Sequence, residues 1–152
     1  MRKPSLFFFS FLVLSGSFWA CTKSGEETVK QAENDVFAIH DDVMPLLDDV
    51  MKMRKLVKAR IVVLDSTKAA VSAASTLRID EERDQAKRIV QNLTDADSLM
   101  MSWMDHYKND TLAKLPSDDA LRYLDQQKDL ITDVKAKVNS SLKEAVQFLQ
   151  KP

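Results

Sequence analysis

The chain holds two glycines, four prolines, one cysteine and two histidines in 152 residues. So little glycine and proline excludes an all-β domain, whose turns draw on Gly, Pro and Asn-Gly pairs. A single cysteine excludes an internal disulfide and a cysteine-built zinc site. Neither sign of charge dominates. The 22 basic and 23 acidic residues leave −1, which gives nucleic acid no electrostatic footprint. Catalytic signatures are missing as well: there is no Gly-rich phosphate loop, no G-x-S-x-G and no H-E-x-x-H. The chain is therefore read as non-catalytic, with no cofactor required.

What is present begins with an address. Arg2 and Lys3 form a positive n-region, Leu6 to Leu14 an apolar h-region, and Ser15, Gly16 and Ser17 its end. That run is too short to span a bilayer and reads as a signal peptide over residues 1–20. An ordinary signal peptidase cutting after Ala20 would meet bulky Phe18 where it needs a small residue. The segment instead resembles a bacterial lipoprotein signal, in which a small residue (Ala20) precedes the lipid-modified cysteine (Cys21). Cys21 is thus the expected palmitate-bearing residue, and residues 21–27 a polar tether. The absence of Asp after Cys21 favours the outer membrane of a Gram-negative envelope over inner-membrane retention. Removing Arg2 and Lys3 leaves 20 basic against 23 acidic residues, or −3, and five of the seven phenylalanines leave too.

Residues 28–152 read as one helical domain. Apolar residues recur every seven positions along Val29, Val36, Val43, Val50, Val57, Leu64 and Val71, accompanied by Ala32, Ile39, Leu46 and Met53. Such an a/d seam specifies amphipathic helices packed at a shallow angle. Pro45 removes a backbone hydrogen bond and should kink the first helix. The second track fails at Arg60 and Thr67, so a break near residue 60, giving a fourth helix, is the alternative. A turn is expected over Thr76 to Asp80, with Asp80 capping the next helix. That helix should bury Ala86, Ile89, Leu93, Ala96, Met100, Trp103 and Tyr107. Pro116 and the acids Asp118 and Asp119 start the last helix, expected to bury Leu121, Leu124, Ile131, Val134, Val138, Leu142, Ala145 and Leu149. The fold class is an all-α, antiparallel up-down three-helix bundle with coiled-coil-like packing.

The unusual constellation is methionine. Beyond the initiator, all six lie between residues 44 and 104, at Met44, Met51, Met53, Met100, Met101 and Met104. A hairpin turning near residue 78 would bring Met53 to Trp103, and Met51 to Met104 and His106. Thioethers and imidazoles are soft ligands that select copper(I), and His40 lies one helical turn from Met44. His40, Met44, Met51 and Met104 are therefore the candidate metal ligands, with copper the one cofactor to consider. The competing account is that methionine fills irregular core gaps beside Trp103.

Ile39-His40-Asp41-Asp42-Val43-Met44-Pro45 with Met51, Met100-Met101-Ser102-Trp103-Met104, and Tyr123-Leu124 ahead of a Lys- and Val-containing last helix resemble a family of small bacterial lipoproteins. These are commonly labelled "viral A-type inclusion protein", a name inherited from coiled-coil similarity. The resemblance implies a lipid-anchored helical protein without assigned activity, and it supplies no ligand residues. Residues and resemblance together lead to one expectation: an envelope lipoprotein acting as a binding or scaffold module. It would hold the membrane through its lipid and partner another envelope protein or itself. The alternative is a periplasm-facing copper-binding protein.

Overall fold

The computed structural model describes residues 20–68 and 70–150, with side chains from Gly25 onward. The signal segment short of Ala20 and the Cys21 side chain lie outside the described residues. The elements are α1 (Ala20–Val43), α2 (Leu46–Lys68), α3 (Ala73–His106), a single turn α4 (Asn109–Leu112) and α5 (Ser117–Leu149), with no strand among the described residues. α1 and α2 form one bent rod. α3 runs back against it and α5 runs forward again, giving the up-down-up bundle.

The bend sits at Met44-Pro45, where the sequence requires it. Met44 N–H still donates to the His40 carbonyl at 2.9 Å, but Pro45 has no N–H to donate, and the helix restarts with Leu47 N–H on the Met44 carbonyl at 3.2 Å. The expected alternative break near residue 60 does not occur. Val57 and Leu64 are buried on either side of it, and the off-pattern Arg60 is accommodated because its Nε donates to Glu82 Oε1 at 2.8 Å. The segment 21–27, expected as a polar tether, is helical and continuous with α1. Gly25 suits this course, because a Cβ there would meet Ser117 Oγ at 3.0 Å.

The seam is close to its sequence pattern. Val36, Val43, Val50, Val57 and Leu64 are buried along the bent rod, and Ala86, Ile89, Leu93, Ala96, Met100 and Trp103 along α3. Val71 falls outside it and is exposed. On α5 the buried track is Ala120, Leu124, Gln127, Ile131, Val134, Val138, Ser141, Ala145 and Phe148. This is an unbroken alternation of three and four, and two of its members are polar. Leu121, Leu142 and Leu149, expected in the core, lie one position off it and are half-buried.

The first hairpin turns at residues 70–72, earlier than the expected Thr76 to Asp80. Ala73 and Ala74 are good helix formers and join α3 behind Ser72. Asp80 therefore caps nothing. It takes a hydrogen bond from Lys68 Nζ at 2.6 Å across the hairpin instead. Lys128 and Lys135 of α5 pair with Asp35 and Asp42 of the first rod at 3.4 and 3.0 Å. That offset places Leu149, the end of α5, about level with Leu56. α2 continues to Lys68, so the α2–α3 hairpin projects about 18 Å beyond α5.

Candidate functional site

Above the kink α1 stands away from α3, and rings fill the gap. His40 lies over Trp103 with centroids 5.5 Å apart, Tyr107 is 5.3 Å from Trp103 and 5.2 Å from Phe37, and Tyr123 is 5.9 Å from Tyr107. Hydrogen bonds fix the rims. His40 Nδ1 lies 3.0 Å from Asp41 Oδ1. Tyr107 O–H donates to Glu33 Oε1 at 3.2 Å, and Lys108 N–H donates to the Tyr123 hydroxyl oxygen at 2.7 Å. Burial and the neighbouring Glu33 carboxylate hold the Tyr107 phenol well above its ordinary pKa. Trp103 is 7% exposed. Its Nε1–H has no hydrogen-bond partner among the described residues, an uncommon state for a buried donor.

On the far side of Trp103 a groove of about 420 Å³ opens between α3 and α5. Leu99, Leu130 and Val134 supply its apolar walls; Ser102, His106, Gln127 and Asp133 supply its polar groups. Leu99 and Leu130 are 46% and 52% exposed, so they stand on the rim. His106 Nδ1 lies 2.7 Å from the Ser102 carbonyl oxygen. A carbonyl only accepts, so Nδ1 carries a proton and donates it to that oxygen. The groove continues toward Asp95 and Lys137 past the shared Leu99 and Ser102. An apolar trough with a few fixed polar groups has the make-up of a surface that binds a ligand or partner.

The sequence-derived metal candidates have different fates. His40 packs on Trp103 at the kink. Met44 and Met104 are half-buried against the core. Met51 is 48% exposed on α2. The expected register fails, because Arg54 pairs with Asp97 at 3.2 Å. Across antiparallel helices this puts Met51 level with Met100 and sets Trp103 well above Met53. Met51 is therefore level with Met100 rather than with Met104, and Met53 no longer faces Trp103. Among the described residues, no three His, Cys, Asp or Glu side chains cluster in a way that holds a metal.

Sequence reasoning passed over Leu99, Leu130 and Gln127. Their signals were available. Gln127 occupies a seam position of α5, where a polar residue needs a reason. Leu99 and Leu130 are large apolar residues off both core tracks.

Comparison of the chain with family models, with curated proteins and with solved structures finds no match. No described helix is long and apolar enough to cross a membrane.

Proposed function

We propose that this protein is a non-catalytic envelope lipoprotein, held in the outer membrane of a Gram-negative bacterium by acyl chains on Cys21, whose helical bundle binds or scaffolds another envelope component. The observation that carries the reading is axial. Cys21 belongs to the first turn of α1 at one end of the bundle, and the α2–α3 turn is at the other. From Gly25 to Lys68 the bent rod extends about 65 Å. A lipid at one end makes such a rod a stalk, and its groove stands clear of the bilayer. Charge supports a protein partner, since a mature chain at −3 offers no basic helical face to lipid or nucleic acid. Metabolic labelling with palmitate and membrane fractionation test it: the wild-type chain incorporates label and sediments with membranes, and Cys21→Ser abolishes both. Unlabelled, soluble wild-type protein overturns the reading.

Copper(I) binding is the second reading, and one observation favours it. His40 and Met44 lie one turn apart at the kink, and Met104 follows Trp103, the ring on which His40 packs. Replacing Met44 and Met104 by Leu preserves volume, so the bundle keeps its helicity while copper(I) affinity, measured against a competing chelator, disappears. Equal affinity in wild type and variant removes this reading.

A further inference from the structure

The α3–α5 pair carries a second seam. The first faces the bent rod and forms the core. The second faces outward: Asp95, Leu99, Ser102 and His106 along α3 at spacings of three and four, and Leu130 and Lys137, seven apart, along α5, with the core residues Gln127 and Val134 forming the floor between the helices. A helix pair with an outward a/d-spaced face is half of a four-helix bundle. The heights of its members are set by Ser141, whose hydroxyl donates to the Asn92 carbonyl at 3.1 Å. Counting along the two antiparallel helices, Asp95 stands about level with Lys137, Leu99 with Val134, and His106 with Gln127.

We propose that this face pairs with the same face of a second copy of the chain, about a two-fold axis parallel to the bundle. That rotation sets α3 of each copy against α5 of the other without changing height. Asp95 then meets the second copy's Lys137, and Leu99 meets its Leu130 and Val134. Charge complementarity selects this occupant: an acid on one helix stands level with a base on the other, and this exchange of α3 for α5 opposes them twice. A single apolar layer between polar ones also fixes register, as polar seam positions do in coiled coils. The arrangement keeps both N-termini at one end, so both anchors enter one membrane; for that constraint the inference rests on the lipoprotein reading. From Asp95 to His106 the trough is about 17 Å, or three turns. That is small beside the roughly 800 Å² per partner of a standard interface. Pairing therefore depends on the local concentration that a shared membrane supplies.

The test uses the full chain, produced in a bacterium with lipoprotein processing, with the photo-cross-linking residue p-benzoylphenylalanine in place of Leu130. Two differently tagged copies are made together. Irradiation should yield a product of twice the chain mass carrying both tags. Asp95→Lys alone and Lys137→Asp alone each place like charges opposite one another and should lower the yield severalfold. Producing one variant of each kind together restores opposite charges at both contacts and should return the yield, in mixed pairs only. That recovery also shows that each variant folds. Cross-linking to a different protein alone, absence of the doubled product, or a yield unaffected by Asp95→Lys overturns the proposal. Palmitate labelling reports separately on the anchor: label retained without a doubled product sinks the pairing and leaves the lipoprotein reading standing.

Discussion

The two halves of the bundle solve the same packing problem with different side chains. Below the kink, α2 and α3 approach closely over a seam of Val50, Val57, Leu64, Ala86, Ile89 and Leu93. Ion pairs flank that seam, from Arg54–Asp97 through Arg60–Glu82 to Lys68–Asp80. Above it, α1 diverges from α3 and four of the five aromatic residues beyond the signal segment, Phe37, Trp103, Tyr107 and Tyr123, fill the widened space. One proline separates these regimes. Aliphatic knobs suffice where helices run close, whereas a bend opens a gap that only rings fill at interior density. The groove beside Trp103 lies in the same ring-filled half, on the side of α3 that faces α5.

Substitutions can break this contrast, and the largest effect belongs to the shared core. Leu93→Asp places an unpaired charge at a fully buried position and should cost several kcal/mol, on the order of 4 or more, seen as loss of cooperative thermal unfolding by circular dichroism. Trp103→Ala strikes the upper half alone. It empties the centre of the ring layer and should cost about 3–5 kcal/mol, measured by urea denaturation. A Trp103→Leu variant as stable as the wild type would show that ring packing is not what holds α1 to α3.

Tyr107→Phe sharpens the contrast through pH. The folded phenol has a raised pKa, so the unfolded chain ionises first, near pH 10. Stability from this group is complete below that pH and declines as pH rises above it. The wild-type protein should therefore lose stability faster than Tyr107→Phe in alkaline solution. Parallel profiles would contradict the burial assigned to Tyr107. In the lower half, Arg54→Ala should cost no more than about 1 kcal/mol, and salt should erase most of the difference, as for half-exposed ion pairs generally.

Most of the helical layout was legible because seven-residue spacing survives from Val36 to Leu64 and Pro116 marks a clean start. The details that escaped reading share a cause: a residue's role depended on a neighbour far away in sequence. Arg60 looked like a failed seam position until Glu82 arrived opposite it. Asp80 looked like a cap, yet it pairs across the hairpin with Lys68, whose hydrogen bond holds its carboxyl below the ordinary range. Moving the turn from about residue 78 to residues 70–72 shifted the cross-helix pairs, so that Met51 stands level with Met100 and Met53 no longer faces Trp103. Gln127 and Ser141 were hidden for another reason. They are polar residues in seam positions, and Ser141 is satisfied only by the Asn92 and Lys137 carbonyls. The groove was the least legible feature, because it depends on where α5 lies rather than on any local pattern.

The account stands or falls on a rod fixed to the membrane by one end. Full-length protein acylated at Cys21 and reconstituted in vesicles with headgroup-labelled lipid tests this, with a donor dye on a cysteine introduced at Glu26 or at Ala70. The acylated Cys21 leaves the new thiol as the only one to label. Energy transfer to the bilayer should be strong from position 26 and nearly absent from position 70, about 65 Å further along the rod. Equal transfer from both positions, or none from either, contradicts the account.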